Sequence, residues 1–476
     1  MSELKLARMP LAEQTYSPGL TESLPLDNKL KQPSPEVDLS KLCLELYQSS
    51  PDKLKGVSFE RFNKMSVDIF NALDSSLSQD AKLDLMRALL TQTVPSGRMA
   101  VNNYNPGTDP NGELTITQTH KGKSVLENLH KIATSNLHKS LTRQGFEKSD
   151  FLTSLIQEMT DRSINDQGDK ATCASTCAQW HQIAENPALL VSQVKELLTQ
   201  GVSTNSKGDP VLRLTDIIPV DKRTAISSLI QSCMMNAVDD GYCPTSDIIS
   251  GKLGRHPGLY SRQLWELQSK FSEKPQRVAY LGDQDYRAII DSALDERRCM
   301  IAVVEGLGTG DHLWHDVNII DRKDGYIYFR NPWPDEYIEN KNGVEVLNQE
   351  AGICRMKEGR FLSQTQYIVY EADPRTTDLA YQPDGRDEIG GITAPVFTIT
   401  SGSLDDRELL QRNLRRQNEE NQKTQSSDKE QVMFDKNKTA EPERQLVSAA
   451  DMQKKLREQH NHRLWIKKIT AEKQNG

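Results

Sequence analysis

The segment His315–Asn331, HDVNIIDRKDGYIYFRN, reads as strand, turn, strand. Apolar residues alternate on either side of Asp324-Gly325, a dipeptide that favours tight reversal of an antiparallel pair. With Arg322-Lys323-Asp324 as the loop, Asp321 pairs with Gly325, Ile319 faces Ile327, Val317 faces Phe329 and His315 faces Asn331. Directly opposed residues share a face, with β-carbons ~5 Å apart. Two apolar pairs make that face a buried one, which specifies the register, because a slip of one residue turns the whole set over. The third pair puts an imidazole beside a carboxamide, so the Asn331 amide oxygen can accept from the ring and hold its orientation. A bulge would shift this register by one.

Further strand-like runs flank the hairpin, CMIAVVE (Cys299–Glu305) before it and QYIVYEA (Gln366–Ala372) after it. Helical patterns precede them, one after Gln167 and one over NPALLVSQVKELLTQG, where Pro187 suits a first turn and Gly201 a C-terminal cap. Helices followed by antiparallel strands predict an α+β domain over residues 163–375. Residues 38–162 are read as a mainly helical domain: LSKLCLELY, VDIFNALDSSL, KLDLMRALL and SVLENLHKIATSNLHKSL place apolar residues three and four apart. The segment NNYNPGTDPNGELTIT interrupts them with turns and one short strand, and no site is identified in this half. Residues 1–37, rich in Pro, Ser and Lys, form an expected disordered leader. Residues 376–476 form a polar linker and charged tail, partly helical or disordered.

Across 476 residues, a hydrophobic fraction of 36% is low for a wholly packed chain, in line with such tails. A formal charge of -8 argues against a global nucleic-acid binder. No apolar run reaches the ~18 residues that span a bilayer, and the start, MSELKLARMPLAEQ, lacks the apolar core of a signal peptide. Membrane insertion and Sec-type export are therefore not expected. Seven scattered cysteines suit reduced thiols in a cytoplasmic setting. A flexible leader without an export signal would also suit an effector or toxin delivered by a non-Sec secretion system.

Two of those cysteines lie in INDQGDKATCASTCAQWHQ, Ile164–Gln182. Cys173, Cys177 and His181 follow i, i+4, i+8 spacing and share one helix face. With His312 and His315 they make a zinc site conceivable, but zinc cysteines usually come as paired knuckles and there is no second pair. A disulfide within one helix is disfavoured by geometry. Cys177 is read as a buried structural thiol, and no metal or cofactor is expected. Cys173 differs because it opens the helix after Thr172, a cap residue, and a helix N-terminus favours a thiolate. The amides there can help bind an oxyanion, assisted by a side-chain amide such as that of Gln167, six residues upstream.

A cysteine at a helix start, a histidine on a strand and an asparagine orienting it form a nucleophile–base–orienter set. Here the sequence resembles the papain-like cysteine peptidases. QGDKATC is similar to their Gln-to-Cys motif, HDV to their histidine at a strand start, and RNPW to the calpain-type RNPWG. The resemblance implies Gln167 as oxyanion donor, Cys173 as nucleophile, His315 as base and acid, and Asn331 as orienter. It also implies Trp333 as the ring shielding the Asn–His contact. It covers about Asp166 to Asp373. The family's Trp after the nucleophile is Ala174 here, and Pro334 stands where Gly follows Asn-Pro-Trp.

Several residues compete with these roles. His312 lies in the loop after GLGTGD rather than at the strand start. That glycine-rich loop precedes no helix, lacks a P-loop's Lys-Ser/Thr, and is read as a wall of the substrate cleft through Gly308 and Gly310. Asp316, next to His315, is expected to point to the opposite face; Asp321 shares the face but sits at its far end. His181 is read as a packing residue. The expected chemistry is acyl transfer through a thioester: cleavage of a protein substrate, or deamidation or transglutamination by the same residues. The contrasting reading is a non-catalytic scaffold. The tail is read as a binding segment for a partner protein.

Overall fold

The computed structural model describes residues 35–373, except 55, 95–111, 169, 216, 218–222, 240–241, 243, 245–258, 260, 281–285, 306, 308–313 and 334–342. The expected leader, apart from Pro35–Val37, and the tail lie outside the described residues, as do Gly308, Gly310, His312 and Pro334. The first helix, α1 (Pro35–Ser49), already begins inside the expected leader.

Helices α2 (Phe59–Ala72), α3 (Gln79–Thr91), α4 (Val125–Thr134), α5 (Lys139–Arg143) and α6 (Lys148–Thr160) follow. Local chemistry starts them. Ser58 and Ser78 cap α2 and α3, and Ser124 with Glu127 forms a reciprocal capping box on α4. The short strand expected in ELTIT is only Glu113–Leu114, followed by a 3-10 turn over Thr115–Thr117. Next come α7 (Cys173–Glu185), α8 (Pro187–Gln200), α9 (Ala225–Val238) and α10 (Ser261–Ser272). Pro187 is in the first turn of α8, and Gly201 ends it with a positive φ of 77°. Helices from both sides of residue 162 contribute to one apolar cluster that runs from Leu39 to Val369.

Beyond Ser272 the described strands build a seven-stranded antiparallel sheet. Its strands are β1 (Gln276–Tyr280), β2 (Met300–Glu305), β3 (Trp314–Lys323), β4 (Tyr326–Arg330), β5 (Val344–Asn348), β6 (Ile353–Lys357) and β7 (Thr365–Glu371). Their spatial order is β5-β6-β4-β3-β2-β7-β1. Helices α11 (Tyr286–Asp295) and α12 (Glu358–Gln364) join one face, packing with Ala302, Val304, Val317, Ile319 and Phe329. The other face, through Ile301, Val303 and Val369, joins the cluster holding Ala174, Cys177 and Ala178 of α7.

The hairpin forms with a different register from the expected one. Asp324 and Gly325 both take positive φ, 54° and 77°, so the reversal is a two-residue turn. Lys323 pairs with Tyr326, Arg322 with Ile327 and Asp321 with Tyr328. The register then shifts across an unpaired Ile320, so that Ile319 pairs with Phe329 and Asn318 with Arg330. The expected pairs Asp321–Gly325, Ile319–Ile327, Val317–Phe329 and His315–Asn331 are thus not the observed ones. A shorter loop and a bulge replace the three-residue loop.

Candidate active site

Cys173 is the first residue of α7, and Thr172 occupies the cap position before it. The Thr172 hydroxyl does not cap the helix. It donates to Gln231 Oε1 at 2.9 Å, reaching across to α9. Helix α7 lies on the sheet face that carries Asp316 and Asn318. The Asn318 amide donates to the Cys177 carbonyl at 3.1 Å, and the Cys177 thiol to the Asp316 carbonyl at 3.5 Å. The Cys173 thiol donates to Asp316 Oδ2 at 2.9 Å. Asp316 therefore does point away from the His315 face, as strand alternation requires, but what it meets there is the sulfur.

This contact reverses the expected electrostatics of Cys173. The helix start favours a thiolate, but burial first, and then the Asp316 charge, push the thiol well above its ordinary value, although a backbone contact from Asp316 pulls the other way. Burial also pushes the Asp316 carboxyl up to about 7, against the hydrogen bond from Cys173. Cys177 is fully buried, as a structural thiol should be, and its thiol is likewise pushed well up by burial. His181 is buried on the same helix. Burial, then Lys274, Arg297 and Arg162, hold its ring neutral down to about 3.

His315 sits on β3 opposite Val304, on the face of Val317 and Ile319. Its Nε2 lies 2.7 Å from Asn331 Oδ1. That oxygen also accepts from the Trp333 backbone N–H at 2.9 Å, and the Trp333 ring lies 5.2 Å from the imidazole, centroid to centroid. An amide oxygen only accepts, so Nε2 carries the hydrogen and the neutral ring has its lone pair on Nδ1. His315, Asn331 and Trp333 are all at least nine-tenths buried. Asp321 pairs with Tyr328 near the turn, beyond the bulge.

The Asn331 backbone is fixed by a second close approach. Its N–H donates to the Gly352 carbonyl at 2.8 Å. Gly352 has a φ of 68°, and a β-carbon there would run into the Asn331 carbonyl. Only glycine satisfies both conditions.

Gln167 is buried in the loop before α7. Its backbone N–H donates to the Pro332 carbonyl at 3.1 Å, which joins the glutamine loop to the Asn331-Pro332-Trp333 segment. Its side-chain Nε2 donates to the Lys170 carbonyl at 2.9 Å, leaving one N–H of that group for another acceptor. Gln231 anchors the same loop: besides accepting from Thr172, it donates to the Asp166 carbonyl at 2.9 Å and to Gln179 Oε1 at 3.1 Å. Arg330 donates to the Asn165 carbonyl, and both Arg330 and Arg162 stack on Trp180, 5.5 and 5.1 Å from its centroid. The structure thus brings together His315, Asn331 and Trp333 and ties Gln167 to that group through Pro332. It does not join Cys173 to His315: the thiol's hydrogen bond goes to Asp316, the next residue of β3, which points to the other face of the strand.

No family model matches the chain, and no curated protein matches it. Among solved structures it is similar to one from Bacillus anthracis described as a "putative C39-like peptidase", at 13% identity and a TM-score of 0.22. The match covers 44% of this chain and 90% of that one. A likeness this weak assigns no residue.

Asp316, Gln231, Pro332 and Gly352 are site residues that the sequence reading did not supply. For Asp316 a signal was present: alternation puts the residue after His315 on the helix-facing side, and a buried acid there needs a partner. Gln231 and Gly352 carry no comparable signal, because their partners are distant along the chain: Asp166, Thr172 and Gln179 for the one and Asn331 for the other.

Proposed function

We propose that the chain is a papain-like thiol hydrolase that cleaves amide bonds of a protein substrate through Cys173, His315 and Asn331. The observation that carries this reading is the 2.7 Å contact from His315 Nε2 to Asn331 Oδ1 beneath Trp333. It orients the imidazole with Nδ1 as the nitrogen left for chemistry, one residue along the strand from the carboxyl that holds the thiol.

In this mechanism the Cys173 thiol turns from Asp316, on the other face of β3, toward His315; Nδ1 then takes its proton and sulfur attacks the amide carbonyl. The Cys173 backbone N–H and the second N–H of Gln167 receive the oxyanion, each such donor contributing about 3 kcal/mol to the transition state. His315 then returns the proton to the leaving amine, and water attacks the thioester with the same imidazole as base. The mixed helix and antiparallel-sheet architecture, with a nucleophile helix packed on the histidine strand, supports the papain-like reading.

Mass spectrometry of a denatured protein pool after incubation with the chain or with Cys173→Ala tests it. New amino termini made by the wild type alone are the expected result. A one-dalton gain at glutamine would indicate deamidation instead, and an added amine transglutamination. Products identical with Cys173→Ala would overturn the assignment.

A further inference from the structure

Asp316 is the buried acid that this chemistry leaves unused, and it touches the reacting atom. Its Oδ2 accepts from the Cys173 thiol, its Oδ1 is buried without a hydrogen-bond partner, and the residue is 4% exposed. The titratable groups around it are Cys173 and Cys177 on α7 and His315 before it on β3. On β2 it is opposed by the apolar Val303. Arg330 of β4 acts on Cys177, but Asp316 has no ion pair among the described residues. A carboxylate so placed lacks the partners that make a buried charge tolerable.

Its effect on the sulfur depends on its proton. An ionised carboxylate at 2.9 Å holds the S–H hydrogen and opposes negative charge on sulfur. A neutral carboxyl at the same distance becomes a donor, and O–H···S⁻ supports a thiolate. On the reading of Cys173 as nucleophile, we propose that Asp316 is a brake on it: the ionised carboxylate keeps the thiol protonated, and uptake of a proton by Asp316 releases the sulfur to His315. In the released state Asp316 has gained one proton from solvent and the Cys173 proton has moved to Nδ1 of His315; no other bond changes. The carboxyl, raised to about 7 by burial, exchanges its proton near neutrality.

The test is the pH dependence of Cys173 alkylation by iodoacetamide on the full chain, read by peptide mapping. In Asp316→Asn, which keeps the shape and removes the charge, the midpoint is expected at least one pH unit lower. Labelling at pH 7 should then be about tenfold faster, since one unit changes the thiolate fraction tenfold. Asp316→Ser, which retains a hydroxyl donor, should move the same way and serves if the Asn variant does not fold. An unmoved midpoint would overturn the brake, and a higher one would make Asp316 an activating base instead. Labelling needs no substrate, so an unmoved profile fails the brake alone, whereas absent cleavage with a moved profile fails the hydrolase reading alone.

Discussion

His315 and Asn331 are joined side chain to side chain at 2.7 Å because a bulge at Ile320 restores the parity that the turn would break. The two-residue turn pairs Lys323 with Tyr326. Continued without a bulge, that register would set Asn331 opposite Asn318, on the α7 face and away from the imidazole. With Ile320 left unpaired, Asn318 meets Arg330 instead, and Asn331 follows on the His315 face.

Asn331→Ala should slow turnover while leaving cooperative unfolding in place, because it frees the imidazole to turn without removing the base. His315→Ala should cost more, since proton transfer contributes roughly 10²–10⁴-fold. The double variant should lose little beyond His315→Ala, as for residues acting as a unit. Steady-state kinetics on the three variants reads this; additive losses would separate the two roles.

Gly352→Ala should impair stability and turnover together. The left-handed backbone costs an alanine about 1 kcal/mol, and its β-carbon must displace the Asn331 carbonyl. Gly208→Ala is the control: its φ is 92°, but nothing lies within 4 Å of an added β-carbon. It should show the stability loss in urea titration without the kinetic one.

Two buried acids should make the fold less stable as pH rises. Burial raises Asp316, and likewise Glu158, to about 7, despite the hydrogen bonds Glu158 accepts from Thr224, Ser227 and Asn165. Below about 4 both are protonated in folded and unfolded chains. Between about 4 and about 7 the unfolded chain has released these protons and the folded chain has not. Stability therefore falls through that window, by an order of a few kcal/mol per group, and the cost is complete above it. His181, held neutral down to about 3, acts oppositely from about 6.5 downward, so variants read the acids better than the wild-type curve alone. Urea midpoints from pH 4 to 8 should decline less steeply in Glu158→Gln than in wild type; parallel curves would refute the assignment.

Local signals explain what was legible in the sequence. Pro187 and Gly201 bound their helix, and four strands follow from β-branched and aromatic alternation. The strands Gln276–Tyr280, Val344–Asn348 and Ile353–Lys357 went unread, because QRVAY, VEVLN and ICRMK are short and interrupted by charge; sheet pairing overrides their weak propensity. The helices over 225–238, 261–272 and 286–295 were missed as well. In the site, the face shared by His315 and Asn331 was readable because periodicity two survives a shift of two residues. The bulge was not, since nothing in Ile319-Ile320-Asp321 marks which residue stays unpaired. The thiol's partner is not legible for another reason: a helix start favours a thiolate but says nothing of burial, and burial, with Asp316 beside the sulfur, raises the thiol.

The central claim is that Cys173 forms a thioester with a substrate acyl group. Acid-quenched incubations with a peptide pool, followed by peptide mapping of the chain, test it most directly. The account predicts an acyl fragment on Cys173 in the wild type, and none in Cys173→Ala or His315→Ala. No adduct, or an adduct on Cys177 or on a residue outside the site, would contradict it.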